Sequence, residues 1–411
     1  MRTPLMHRMT SSLRTSSLAE TLTTAREVAR QLGITRVTDT TWLDRLGIPV
    51  FSSIRPDAMP DSLCVNAGKG VHPDEARVGA YMEAIEFALA EYRNTHVDIV
   101  MSTPSEVASQ PGISFRFVDL CPTLGRKVDA DGPLACVEAH DVVSGQSVLV
   151  PAELVFSPYP ENPGQVIFGT STNGLASGNT VLEATVHGLA ELMERDVQAL
   201  NHFCDTSFLI DFDIPAPDLD QLRDRVTSAG LQAEVRYTPS EFGLPYFQGF
   251  IMEPTNDDPI AISVGSGLHP IKEIAAVRAL AEAAQSRLSY IHGGRDDLIE
   301  RFKYFARQDP DQERAAEQEL RRRVTDNSRS IRYSQIPSAT GFASVDDALV
   351  DILAALSVRG VEQVLRVVLS PEDSPLAVVK VIAPKLESFQ PNLKRVGPRL
   401  VKMTQDREEQ E

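Results

Sequence analysis

Cysteine is scarce and scattered. The 411 residues hold four, at 64, 121, 136 and 204, with no Cys-x-x-Cys pair and no Cys/His group at zinc-ligand spacing. That argues against a disulfide framework and a zinc module, and it suits a reducing cytoplasm. Long apolar runs are missing as well: none approaches the roughly 18 residues of a membrane span. The opening MRTPLMHRMTSSLRTSS lacks the apolar stretch of a secretory signal, so a cytoplasmic protein is expected. No G-x-x-x-x-G-K-[ST] sequence occurs, which excludes a Walker-type phosphate loop. Positive charge is also in deficit, with 40 Lys and Arg against 57 Asp and Glu and a net charge of −17. Such a balance works against non-specific attraction to nucleic acid or anionic membrane and favours a basic peptide as partner.

What is present is ordinary for a globular chain: 42 % apolar and 24 % charged residues, with length for one large domain or two. Helical periodicity first appears over 18–32. Strands are expected at 48–54, 62–65, 115–119, 147–150, 165–168, 234–237, 247–252 and 260–264, and long helices from near Pro73, Thr180 and Pro270. This alternation predicts an α+β fold. Residues 1–17 read as an N-terminal extension, 18–295 as the core, 296–400 as a charged helical segment and C-terminal part packed on that core, and 401–411 as a tail. The strongly charged run 293–333 reads as solvated helices joined by a loop.

One pattern occurs three times: a short strand, two nearby glycines, then a helix with two long polar residues three apart. Gly68-Lys69-Gly70 leads to Glu83 and Glu86, Gly174 and Gly178 lead to Glu191 and Glu194, and Gly265 and Gly267 lead to Glu282 and Gln285. From the last glycine to the first polar residue the separations are 13 (83 − 70), 13 (191 − 178) and 15 (282 − 267). Residues three apart share a helix face, so each helix would present a bidentate claw. Five carboxylates and one amide brought together would repel one another unless cations neutralised them. Hard oxygen ligands suit magnesium, which usually arrives with phosphate, so ATP with magnesium follows. The glycine loops would offer backbone N–H groups at helix N-termini, and Lys69, Arg195 and Arg278 are candidate phosphate counter-charges. In the second copy Thr180-x-x-Glu183 reads as a capping box, followed by a polar stripe of Glu183, His187, Glu191, Glu194 and Arg195. The bland alternative is that these acidic stripes face water, as most do; the threefold recurrence weighs against it.

The wording of these segments points further. STNGLASGNTVLEATVHGLAELMERD (171–196) closely resembles the central motif of the YcaO family. GKGVHPDEARVGAYMEAIE (68–86) and GSGLHPIKEIAAVRALAEAAQSR (265–287) resemble its flanking motifs in the same order. The resemblance, over roughly 14–295, implies an ATP-binding α+β fold with internal pseudo-symmetry. Carried over by position, Glu83, Glu86, Glu191 and Glu194 look like magnesium ligands, with Asn179, Glu183 and Arg195 near the nucleotide. Lys69, Arg278, Glu282, Gln285 and Arg287 fall in the same site. No residue is assigned as catalytic, and Cys64 stands beside the first motif without an implied role.

The chemistry implied is ATP-dependent phosphorylation of a backbone amide oxygen in a ribosomally made precursor peptide, followed by attack of a nucleophile. A neighbouring side chain would give an azoline, sulfide a thioamide, an amine an amidine. Azoline-forming members often end in a proline-rich segment, whereas this chain ends RVGPRLVKMTQDREEQE. Together with the run 14–54 and the phrase STNGLASGNT, this is most similar to members working beside a TfuA-type protein. Thioamide formation with a sulfur donor is therefore the expected outcome. Relatives imply a homodimer, and a non-catalytic accessory role in ribosomal protein methylthiolation is the rival from another class.

Overall fold

The computed structural model describes residues 6–254, 260–298 and 310–408. Its helices are α1 (Leu18–Gln31), α2 (Pro73–Ala90), α3 (Pro104–Ser109), α4 (Val181–Phe203), α5 (Pro217–Ser228), α6 (Lys272–His292), α7 (Pro310–Thr325), α8 (Val345–Val358) and α9 (Pro398–Glu408). The strands are β1 (His7–Arg8), β2 (Leu13–Arg14), β3 (Arg36–Asp39), β4 (Val50–Ile54), β5 (Val65–Lys69), β6 (Val100–Ser102), β7 (Leu134–Asp141) and β8 (Ser147–Pro151). They continue as β9 (Leu175–Gly178), β10 (Phe208–Asp211), β11 (Gln232–Pro239), β12 (Pro245–Met252), β13 (Ile262–Leu268), β14 (Ser330–Arg332), β15 (Leu365–Val368) and β16 (Ala377–Ile382).

The chain divides into two compact units, the first made of Met1–Ala58, Leu63–Ile85 and Thr206–Ser344, the second of Met59–Ser62, Glu86–Asp205 and Val345–Glu411. In the first unit a five-stranded sheet runs β13-β12-β11-β10-β14, antiparallel except for β10 with β14. A second, antiparallel sheet runs β3-β4-β5. Helix α6 lies on β12 and β13 through a face of small residues, Ala275, Ala279 and Ala283, all fully buried. Its far end reaches the other sheet, where Leu288 packs with Val50 and Ala67. Leu219, Leu222 and Val226 of α5 close the same core. Each apolar side chain buried this completely stabilises the fold by about 1.5–3 kcal/mol before entropy is counted.

The second unit is built on an antiparallel sheet ordered β6-β7-β15-β16-β9, with β8 also pairing β7. Helix α4 covers β9 and β16, while α8 and α9 pack on α4. Among the described residues no helix is long and apolar enough to cross a membrane. Of the charged run 293–333, residues 310–325 form the largely exposed α7; its stretch 299–309 lies outside the described residues, as do 409–411 of the expected tail.

Several expected strands fall where expected, among them β4, β8 and β12. Two do not exist. At 115–119 the chain forms a 3-10 helix, Phe117–Leu120, because the Asp119 carboxylate takes the backbone N–H of Arg116 at 2.8 Å and closes the turn. At 165–168 no ladder forms: the N–H groups of Ile167, Phe168 and Gly169 all donate to the buried carboxylate of Glu153, at 2.7–2.9 Å. The strands predicted at 62–65 and 260–264 begin later, as β5 and β13, and β7, β9, β15 and β16 were not anticipated.

All three strand–helix copies are present, as β5 to α2, β9 to α4 and β13 to α6, and each strand is the last of its sheet. Four of the six glycines, however, stand in strands rather than in the loops expected from the sequence. Gly68, Gly178, Gly265 and Gly267 lie within the strands. A Cβ on Gly68 would stand 2.1 Å from Ala76 O and Ala80 N, and one on Gly267 2.1 Å from Ala275 O. Their purpose is to let a helix lie directly on a strand. Counted from these contact positions the first and third copies agree: Gly68 to Glu83 and Gly267 to Glu282 are each 15 apart (83 − 68, 282 − 267). In the second copy the small residue moves to the helix, where Gly188 faces Gly174 O.

Candidate functional site

In the first unit, Glu83 stands three and seven residues beyond Ala80 and Ala76, so it continues the side of α2 that lies on β5. Burial pushes its carboxyl above the usual range; Lys69 and Arg295 pull it down, and Glu282 pushes it further up. Burial prevails. Glu282 holds the equivalent place on α6 and pairs with Lys69 at 2.8 Å. The Gln285 side-chain amide donates to Ala67 O on β5. The third claw thus straps α6 to the strand of the first copy. Arg295, bidentate with Asp297 at 2.8 and 3.1 Å, is the residue of this cluster that sequence reading missed. It lies at the start of a charged run, where one more arginine carries no signal.

Arg278 rises from α6 beside Gly267, with its Nε buried and without a hydrogen-bond partner among the described residues. Arg287, by contrast, is buried and committed to Asp44 at 3.0 Å and Glu253 at 2.6 Å, an ion-pair network that braces α6. Cys64 meets Asp296 at 3.2 Å, and burial first, then that carboxylate, pushes its thiol to about 11, so it carries no reactive thiolate. His269 follows β13, with Nδ1 accepting the Ile271 N–H at 3.0 Å; burial, helped by Arg278, lowers it to about 3. The unfolded chain therefore binds a proton that the folded one refuses. The His269 contribution is complete above pH 6.5 and is lost as pH falls from there toward about 3. Acid unfolding of a His269→Gln variant should lack this component, on the order of a few kcal/mol, as measured by denaturant titration at pH 4 and 7.

In the second unit, Thr180 caps α4 by accepting the Glu183 N–H at 3.2 Å. The Asn179 amide donates to both oxygens of Glu183 at 3.2 Å, holding a carboxylate with no exposed surface. Along the same stripe His187, Glu191 and Arg195 are half-buried and Glu194 is only 3 % exposed. The acidic stripe therefore does not face water. Arg195 donates to Gln198 at 2.9 Å. Glu191 accepts the Gly174 N–H at 3.4 Å, at one end of β9. Glu86, from the end of α2 that belongs to this unit, accepts the N–H and hydroxyl of Ser177 at 2.8 and 2.6 Å, at the other.

Among the described residues no three acidic, histidine or cysteine side chains form a ready cage for a metal ion. Glu86, Glu183, Glu191 and Glu282 are instead each met by a donor of the protein. The donor chemistry nevertheless fits magnesium: the ligand candidates are carboxylates only, and a divalent cation would offset the burial that raises Glu83.

The family model described as YcaO cyclodehydratase, ATP- and Mg2+-binding, matches residues 67–387. An uncharacterized protein in the tfuA 3′ region of Rhizobium leguminosarum bv. trifolii is 33 % identical over 90 % of this chain and 87 % of its own. Among solved structures, YcaO from Methanopyrus kandleri, bound with AMPPCP and Mg2+, superposes with a TM-score of 0.73 at 23 % identity, over 96 % of this chain and 98 % of that one. A heterocyclase in complex with substrate and cofactor gives 0.78 at 18 % identity, over 98 % of this chain and 57 % of that one. The fold, the recurring strand–helix copies and the match through all three motifs lead to one assignment: the chain belongs to the YcaO family of ATP-dependent, cyclodehydratase-type enzymes.

Proposed function

We propose that this protein uses ATP and Mg2+ to phosphorylate a backbone amide oxygen of a ribosomally made peptide, and that sulfide then adds to give a thioamide. The observation that carries the reading is the buried polar stripe of α4, with Glu183 and Glu194 withdrawn from water inside the family match. Burying carboxylates costs several kcal/mol unless a cation or hydrogen bonds compensate them; Asn179 and the Gly174 N–H meet part of that cost in the protein, and Mg2+ would meet it in the bound state. Glu83, Glu86, Glu191 and Glu194 would hold Mg2+. The bound ion supplies charge neutralisation for the triphosphate. Asn179 orients Glu183, and Lys69, Arg195 and Arg278 stand as counter-charges for phosphate oxygens.

The amide oxygen attacks the γ-phosphorus and ADP leaves. Hydrosulfide adds to the activated carbon, and phosphate departs with the original amide oxygen, leaving carbon double-bonded to sulfur. The protein contributes positioning and charge, as in other phosphoryl transfers. A TfuA-type partner and a sulfur donor are proposed because a relative of 33 % identity lies in a tfuA region. A homodimer in a reducing cytoplasm completes the reading, and all four cysteines are free thiols.

A second reading, cyclodehydration to an azoline by a neighbouring Cys, Ser or Thr, is favoured by the family description and by the likeness to a heterocyclase. Co-expression with a peptide encoded beside this gene separates the two. A mass gain of about 16 Da means oxygen replaced by sulfur, and a loss of about 18 Da means ring formation. An unmodified peptide in the presence of ATP, partner and sulfide counts against both.

A further inference from the structure

On β5, Asn66 has no exposed surface, and neither its Nδ2 nor its Oδ1 has a hydrogen-bond partner among the described residues. A buried amide with both ends unsatisfied is costly to a fold and calls for a reason. The packing of the copies fixes the place it occupies. A Cβ on Gly68 would meet Ala76 O, Gly79 C and Ala80 N, and one on Gly267 would meet Ala275 O, Arg278 Cβ and Ala279 N. Each contact of the first copy thus recurs 199 residues on in the third (267 − 68, 275 − 76, 278 − 79, 279 − 80). Two residues back along the strand, on the same face, a Cβ on Gly265 would stand 2.6 Å from Glu282 Cβ and within 2.4 Å of Ala279 O and Ala283 N. The counterparts of that pair in the first copy are Asn66 and Glu83, again 199 residues away (265 − 66, 282 − 83). Where the third copy admits no side chain, the first seats a carboxamide against Glu83.

We propose that Asn66 is a further ligand of the divalent ion that Glu83 would hold, supplying its carboxamide oxygen beside that carboxylate. The inference rests on the proposed function for the identity of the ion, and on the packing alone for the place of Asn66. An asparagine carbonyl is a hard oxygen ligand, and it brings no further negative charge to a cluster that already holds Glu83 and Glu282. Its amide differs from that of Asn179, which is taken by both oxygens of Glu183. The Asn66 carboxamide has no such internal engagement and is available to a ligand.

The test uses the full chain, with MnCl2 titrated calorimetrically in the presence of AMPPCP and thermal denaturation of the metal-free protein recorded in parallel. Asn66→Leu keeps the size and removes the amide. It should weaken Mn2+ by about tenfold or more and leave the metal-free Tm unchanged or raised, since no internal hydrogen bond of the side chain is lost. Asn66→Asp should lower the metal-free Tm by a few degrees yet bind Mn2+ at least as tightly as wild type, because the carboxylate still offers an oxygen. Unchanged Mn2+ affinity in Asn66→Leu overturns the proposal. If that variant loses metal-free stability or does not fold, Asn66→Asp decides: Mn2+ binding weaker than wild type overturns the proposal, and equal or tighter binding upholds it. When the wild type takes up Mn2+ with AMPPCP and the variants match it, this assignment alone falls; when the wild type takes up neither, the reading of function falls with it.

Discussion

Glu191→Gln, and separately Glu83→Gln, should reduce peptide-dependent ATP turnover by about 10^3-fold or more and abolish the thermal stabilisation that Mg2+ with AMPPCP confers. Glutamine keeps the volume and one acceptor oxygen, so the Gly174 N–H retains a partner while the negative charge is lost. A ligand at a hundred times its dissociation constant stabilises the native state by about 2.7 kcal/mol, so its disappearance is easy to see. The two positions differ in a way that checks the argument. At Glu83, burial already penalises the charged form, so the metal-free variant should be at least as stable as wild type. At Glu191, the Gly174 N–H exchanges a charged acceptor for a neutral one, so the metal-free variant should be slightly less stable. Nucleotide-induced stabilisation that survives in both variants would sink the assignment of these acids to the metal.

The largest effect on the fold is expected from Gly68→Ala or Gly267→Ala. Each added methyl group would lie 2.1 Å from helix backbone, which cannot swing aside as a side chain can. Strand and helix must separate, and a loss of about 3 kcal/mol or more follows from overpacking of this kind. Gly230→Ala is the control. Nothing lies within 4 Å of its Cβ, but φ of +78° strains any other residue, so only about 1 kcal/mol should be lost. Urea denaturation followed by circular dichroism distinguishes the two classes. Similar midpoints for Gly68→Ala and Gly230→Ala would mean that α2 does not lie on β5 as described.

The threefold copy was legible because it rests on period and spacing: two nearby glycines after a short strand, and polar residues three apart on the helix beyond them. What the glycines do was not legible, since a glycine chosen to admit a helix and one chosen to cradle a phosphate look alike in one dimension. The two strands wrongly expected at 115–119 and 165–168 have the right residues, but Asp119 and Glu153 take the backbone N–H groups that a ladder needs. Such local captures depend on which acid folds back, and propensity does not record it. Asn66 could have been found, because an asparagine is out of place on a strand that must be buried. Arg295 could not. The pairing of β16 with β9 joins segments some two hundred residues apart, and no local pattern announces it.

Strands β5, β9 and β13 each end a sheet, yet β9 is buried along its whole length and Ala67 O of β5 is taken by Gln285. At β9 and the turn before it, the amide hydrogens of Ser177 and Gly174 are already spoken for by Glu86 and Glu191. The carboxylates suited to gripping an ion thus also fasten both ends of a buried strand to its neighbouring helices.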